Sequence, residues 1–556
     1  MEKVFDAHFH LLFKHYLSIN FTIEENIRLK GMGQVLDEIF GGPFDSQSSP
    51  ELISRSPLRV GICSLLALEH AFANRILTVK GINIGKLILP LDWKKVENIK
   101  NSKTTYYDDF LDQLHFYIQS KVTLAKEPFH IHFTGRGDAW HKTLNTEATY
   151  QKLLAENTKR YLVLSIEGGH NLSNVFIKSK TLESQNPELQ LKALQEREDA
   201  DFISINLCHL SDISEQRLGG FSQGLNKSAQ IAFFSEDFFP KVEFGLTERG
   251  KKVIRQALLH KERPILIDVK HMSVYTRFHF YAYRSMLANE HPVVERLPIV
   301  STHTGFVFTS LRNFLKEKPY SLSKDDNRGY RELIVENRKI GRTNDKRNHE
   351  LYCNPWTINL FDEEIIEIMR SKGIIGISLD QRILGHAKAF KDGKRPKNFE
   401  PEYMSKPEAE KLFERGELPT AVEGFFEDIM KAPTRAERHI MLLCMHLVYA
   451  VRVGHEGLPW LEGTSPWDYL CIGSDYDGLI NPINGYNNIS ELGKMRKDLR
   501  AYLPLADFYL QGEGNKSLLY LQNGKVDAKF LDEVIEKVMF TNGVRLIARF
   551  LKNWEE

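Results

Sequence analysis

Six short apolar runs in this chain each end on a residue that binds metals, and few folds can use such a pattern. The runs are Val4-Phe5-Asp6-Ala7-His8-Phe9-His10, Leu164-Ser165-Ile166-Glu167, Ile203-Ser204-Ile205-Asn206-Leu207-Cys208-His209, Ile265-Leu266-Ile267-Asp268-Val269-Lys270-His271, Ile299-Val300-Ser301-Thr302-His303 and Leu470-Cys471-Ile472-Gly473-Ser474-Asp475. Short stretches of Val, Ile and Leu bounded by polar or Gly residues read as strands. Segments with helical periodicity separate them, which points to repeated strand–helix units around a parallel sheet. In a closed parallel barrel the strand ends share one rim, so residues hundreds of positions apart meet there.

Candidate strands at about residues 3–8, 59–64, 160–166, 202–208, 264–269, 297–302, 373–379 and 469–474 suit an α/β fold, a (β/α)8 TIM-like barrel of the metal-dependent hydrolase type. A bare barrel needs about 250 residues. About half of the 556 residues must therefore be insertion. We expect one barrel domain over 1–556, with large loop insertions at about 38–58, 316–352 and 382–436. The first is rich in Gly, Ser and Pro and reads as a loop. The other two are dense in charge. Each leaves a candidate strand at or shortly beyond its C-terminal side, where it can wall the site.

Charge excludes some partners. With 74 basic and 73 acidic side chains the formal net charge is +1, so no global field favours nucleic acid or an anionic membrane. No apolar stretch approaches the roughly 20 residues of a membrane-spanning helix. Met1-Glu2-Lys3 leads straight into the first motif with no room for a leader, so a cytoplasmic location is expected. Five cysteines without a CxxC spacing suggest reduced thiols.

Alternate residues of a strand point to one side, so His8 and His10 can aim at one ion. His130-Ile131-His132 has the same spacing, and there we favour a structural role. Glu167 ends a strand before Gly168-Gly169; a carboxylate there can bridge two metals while the glycines let backbone pass close by. His271 and His303, one from each of two successive strands, suit a second ion. Asp475 and Asp477 close the last strand. An acid there can hold a nucleophilic water, move its proton or grip a substrate amine. An Asx turn is the competing reading, and Asp475, directly at the strand end, is the better choice for chemistry.

The ordered set of segments resembles the membrane (renal) dipeptidase family, dinuclear zinc peptidases of the amidohydrolase superfamily. The matching segments are Ile-Glu-Gly-Gly-His at 166–170, Gly-Leu-Thr-Glu-Arg-Gly at 245–250, Ile-Asp-Val-Lys-His-Met-Ser at 267–273, Ser-Thr-His-Thr at 301–304, Gly-Ser-Asp-Tyr-Asp-Gly at 473–478 and Thr-Asn-Gly-Val-Arg-Leu at 541–546. The resemblance implies two zinc-type ions, another divalent metal being an alternative. His8 and His10 would hold one ion, His271 and His303 the other, and Glu167 would bridge them. It also implies that His209 polarises the scissile carbonyl, that Asp475 engages the bridging hydroxide and the substrate amine, and that a homodimer forms. The expected substrate is a dipeptide or similar small molecule.

Three departures stand out. The family's first motif is His-x-Asp, and here His10 takes the second place. Arg312 stands near the position of the family's carboxylate-binding Arg, with Arg347 a rival, and Lys270 replaces a small residue beside His271. Two other functions therefore stay open. One is an amidohydrolase acting on N-acyl amino acids, cyclic amides or lactones; the other is a non-catalytic binding protein on the same barrel.

Overall fold

Strands that are apolar on both faces must be covered on both, and that requirement shapes the centre of this molecule. The computed structural model describes residues 2–19, 21–40, 42, 44–75, 78–79, 82–83, 85–138, 143–176, 186–211, 217–222, 224, 238–240, 245–323, 329–336, 338–342, 350–385, 402–418, 435–458, 464–511, 517–521 and 525–554. Eight strands run β1 (Val4–Phe9), β2 (Leu58–Leu65), β3 (Arg160–Ile166), β4 (Phe202–Asn206), β5 (Leu266–Asp268), β6 (Val300–Thr304), β7 (Ile374–Ile377) and β8 (Leu470–Ile472). All their residues are buried. Each pairs in parallel with the next in chain order. The ring shuts where the chain after β8 returns to β1. There Asp475 N–H donates to His8 O at 2.8 Å, His10 N–H donates to Tyr476 O at 2.9 Å, and Phe9 and Tyr476 form a parallel bridge. The fold is a (β/α)8 barrel.

Each expected strand is present, but β6 begins later than the apolar pattern suggests. Residues Pro292–Arg296 wind into a 3-10 helix, and Pro298 has no N–H to give a sheet. The shift places His303 inside β6 rather than just past it. His130 and His132 belong to another edge. Ile131–Phe133 pairs with Arg160–Leu162, the end of β3 away from Glu167.

Helices α1 (Tyr106–Leu124), α2 (Pro187–Gln195), α3 (Glu248–Leu259), α4 (Val274–Glu290), α5 (Asp362–Arg370), α6 (Arg435–Gly457) and α7 (Asn542–Leu551) follow β2 to β8 in turn. In α3 the buried Gly250, Val253, Ile254, Ala257 and Leu258 recur at helical spacing and face the barrel. The hydroxyl of Thr247 accepts from Gly250 N–H and caps its start, so the Gly-Leu-Thr-Glu-Arg-Gly segment opens a helix.

The inserted stretches are structured where they are described. The first includes a short helix, Pro50–Ser54. Strand Tyr330–Val335, from the second, pairs antiparallel with Tyr320–Leu322 and also with Glu402–Ser405, from the third. Residues 324–328, 343–349, 386–401 and 419–434 of these stretches, Arg347 among them, lie outside the described residues.

Buried carboxylates tie this added sheet to the barrel. Glu402 accepts from Ser222 Oγ at 2.8 Å and from Thr357 N–H at 2.8 Å. Glu408 accepts from Tyr275 N–H, in the first turn of α4, at 3.0 Å. Nearby Arg277 is buried against Glu364, Nε to Oε1 2.5 Å. Burial pushes the Glu408 carboxyl up to about 7, against the pull of Tyr275 N–H, Ser273 and Arg277, and Glu402 adds to the rise.

A carboxyl whose folded value lies above its ordinary 4.5 gives stability at acid pH that is lost as pH climbs through about 7. Glu408→Gln should remove that loss. The stability of the variant relative to wild type should rise by about 2 kcal/mol between pH 5 and pH 8 in denaturant titrations. A difference that does not change with pH would contradict the assignment.

Candidate metal centre

One buried carboxylate stands at the centre of the rim. Glu167 follows the last residue of β3, and Gly168 takes φ 96°, a conformation that suits glycine and turns the chain into a 3-10 helix, Gly169–Leu172. A Cβ on Gly169 would stand 2.5 Å from Leu207 O, so only glycine lets the turn lie against the chain leaving β4. Asn171 Nδ2 donates to Glu167 O at 2.6 Å and to Gly168 O at 2.7 Å, which holds the turn.

Five imidazoles surround Glu167. His10 Nε2 is 2.9 Å from Oε2, while the Nε2 atoms of His8, His209, His271 and His303 lie 3.3, 3.5, 3.6 and 3.7 Å from Oε1. All are buried, with Glu167 itself 2% exposed. Asp475 completes the group, its Oδ1 3.8 Å from His8 Nε2, and its side chain keeps 14% exposure. His271 and Asp475 hold φ values of 67° and 62°, left-handed backbone that His and Asp tolerate better than most residues.

Hydrogen bonds on the outer nitrogens aim the rings. His10 Nδ1 lies 3.1 Å from Ser64 O, an acceptor only, so Nδ1 carries a proton and the ring turns Nε2 toward Glu167. His8 Nδ1 is 3.1 Å from Thr302 Oγ1, whose own proton goes to Asp268. Thr302 Oγ1 then accepts, so His8 Nδ1 also carries a proton and its Nε2 turns toward Glu167. The same hydroxyl lies 3.1 Å from His303 Nδ1. Outer groups of this kind set which nitrogen of a ligating His is available.

His271 Nε2 and His303 Nε2 are 3.2 Å apart, at hydrogen-bond distance when one of them carries a proton and at the spacing of two ligands when neither does. Two donors about 2.0–2.1 Å from one tetrahedral ion stand about 3.3 Å apart, so the spacing matches shared ligation. Three groups offer ligand atoms within 4.8 Å of one another: His8, His10 and Glu167; Glu167, His209 and His271; and His8, His303 and Asp475. Nitrogen and carboxylate donors in this number fit zinc-type ions.

The electrostatics divide the ring: against the cost of burial, Glu167 and Asp475 raise His8 above the ordinary imidazole range. Burial pulls His271 down to about 3 and His303 well below the ordinary imidazole range. On His209 burial is outweighed by Glu69 and Glu167, which raise it to about 10. Burial pushes the Asp475 carboxyl up and the Lys270 ammonium down. Lys270 is 3% exposed, and its Nζ makes no hydrogen bond.

The rim thus brings together His8, His10, Glu167, His209, His271, His303 and Asp475. Arg312 is different, an exposed residue in the first turn of the helix Leu311–Glu317 beyond β6. Asp477 is also separate. Its carboxylate accepts from Gln47 N–H at 2.8 Å and Ser48 N–H at 2.9 Å, and pairs with Lys14 at 2.6 Å, so it anchors the first insertion. The pattern of motifs missed Glu69, which is buried with Oε1 3.2 Å from His209 Nδ1. It stands four residues past β2, where no spacing marks it.

No family model matches this sequence, and no curated protein matches it. Solved structures do resemble it. The metallopeptidase dipeptidase AC has 13% identity, with 99% of this chain and 98% of that one covered at a TM-score of 0.43. A metallopeptidase from Rhodobacter sphaeroides, liganded with a phosphinate mimic of L-Ala-D-Ala, has 13% identity, 99% of each chain covered and a TM-score of 0.44. The probable dipeptidase PvdM from Pseudomonas aeruginosa has 13% identity, with 100% of this chain and 96% of that one covered at 0.44. At such low identity the chemistry of this chain rests on its own side chains.

Glu167→Gln removes the charge that all five imidazoles face. Zinc affinity, measured by competition with a chromogenic chelator, should fall by more than the ~10–100-fold typical of outer-shell changes. Undiminished affinity would contradict a central role for Glu167.

Proposed function

We propose that this chain is a metal-dependent hydrolase of a small peptide or amide bond, dipeptidase-like, working with two zinc-type ions. The observation that carries the reading is the ring of five imidazole Nε2 atoms at 2.9–3.7 Å around the buried Glu167. His8 and His10 would hold one ion, His271 and His303 the other, with Glu167 between them. The grouping of His8, His10 and Glu167 within 4.8 Å of one another supports the first of these sites. Oε2 faces His10 while Oε1 faces the other four rings.

Bound ions of this type would supply an acidified water at neutral pH and positive charge for a carbonyl oxygen. The protein's own groups do the rest. Asp475 is the carboxylate of the cluster that keeps some exposure, so it can meet a substrate entering from the rim. It takes the proton of the attacking water and delivers it to the departing amine. His209 directs Nε2 into the site, where it can donate to the carbonyl oxygen as negative charge builds there. Arg312, on the chain leaving β6, is our proposed partner for a substrate carboxylate.

A panel of dipeptides including L-Ala-L-Ala and L-Ala-D-Ala, N-acyl amino acids, cyclic amides and lactones, assayed with added zinc or manganese, tests the reading. Cleavage of dipeptides is expected; turnover of only the other classes would assign a different amidohydrolase chemistry, and no turnover would favour a binding role. Asp475→Asn should retain the metals and lower kcat by at least ~100-fold, the lower range of general acid–base contributions. Full activity in that variant would remove Asp475 from the mechanism.

A further inference from the structure

Glu69 is a second carboxylate buried at this centre, and it lies on the far side of the ring that Glu167 faces. It is 2% exposed. Its Oε1 is 3.2 Å from His209 Nδ1, accepts from Leu210 N–H at 3.2 Å, and is 3.9 Å from His170 Nδ1. Its Oε2 is buried without a hydrogen bond. Carboxylates are rarely kept in such a place, because an ion removed from water costs several kcal/mol unless a partner compensates. Here the partner is His209, whose own pull and that of His170 hold Glu69 below the usual carboxylate range against the cost of burial.

The geometry has a direct consequence. The imidazole of His209 lies between two carboxylates, Glu69 at Nδ1 and Glu167 at Nε2, the latter 3.5 Å away. The terminal torsion of a histidine is broad and two-fold, so packing alone leaves its ring two faces to present. A carboxylate 3.2 Å from Nδ1, at ion-pair distance though without hydrogen-bond geometry, biases the ring electrostatically toward the face that keeps Nδ1 beside Glu69 and Nε2 at the centre. Leu210 N–H, bonded to the same oxygen, fixes the backbone next to the ring. His170 is held elsewhere, its Nε2 3.1 Å from Ala67 O, so it buttresses the carboxylate without competing for the site.

We propose that Glu69 is a positioning residue. It clamps His209 through Nδ1 so that Nε2 stays directed at the centre. The function of that orientation rests on the hydrolase reading above, whereas the clamp itself does not.

Two readouts separate the ideas. Crystal structures of metal-free wild type and Glu69→Gln compare the ring directly. The account expects the His209 ring to rotate or withdraw in the variant while His8, His10 and His271 keep their places. An unmoved ring would overturn the clamp. Kinetics with L-Ala-L-Ala form a cycle of Glu69→Gln, His209→Ala and both together. Glu69→Gln should lower kcat by ~10–100-fold, the range for outer-shell partners, with KM changed less. In the His209→Ala background the same change should have no further effect, since the residue it acts through is gone. Equal losses in both backgrounds would show that Glu69 acts independently of His209. If Glu69→Gln does not fold, Glu69→Asp, which keeps the charge one methylene shorter, replaces it in both tests with the same criteria. If wild type cleaves no amide, the hydrolase reading fails while the ring orientation still decides the clamp.

Discussion

Five imidazole nitrogens directed at one buried carboxylate need protons or cations among them to balance the cost of leaving water. That constraint organises the molecule. In water each group would be solvated separately; at the rim each has lost its water, with Glu167, His8, His10 and His303 no more than 2% exposed. Protons can supply part of the missing charge, and burial works against them on His271 and His303. Divalent ions supply it with the donor types and spacing seen here. The barrel is what makes so costly a cluster tenable, because eight paired strands and the turns at their ends fix its members in place.

The same economy extends one layer outward. Ser64, Thr302 and Asp268 orient His8 and His10, and Asp477 holds the first insertion against the chain after β8. The second and third insertions share one antiparallel sheet, anchored by Glu402 and Glu408 near the start of α4. Stretches far apart in sequence therefore form one anchored sheet beside the barrel. Breaking a buried anchor such as Arg277–Glu364 would cost about 3–5 kcal/mol, because one uncompensated charge would remain.

Much of this was legible in the sequence. Val, Ile and Leu runs marked all eight strands, because a strand buried on both faces is mostly apolar and keeps polar residues only where they find partners. The candidate metal ligands stood out because each broke such a run at its end. Other features carried no local signal. Glu69 lies in an ordinary Ala-Leu-Glu-His stretch, and the ring it contacts is on another strand. The pairing of Tyr330–Val335 with Glu402–Ser405 joins two charge-dense segments that show no apolar alternation. Asp475 and Asp477 differ by two positions in one turn, and only the bonds to Gln47 and Ser48 separate an anchor from a reactive acid. The delayed start of β6 follows from Pro298, a cue present in the sequence but overridden by the surrounding apolar pattern.

Anomalous diffraction at the zinc edge from zinc-loaded crystals tests the central claim most directly. The account predicts two peaks flanking Glu167, one within ligand distance of His8 and His10 and the other within ligand distance of His271 and His303. Zinc bound only at sites remote from Glu167, or no peak at all in fully loaded crystals, would contradict it.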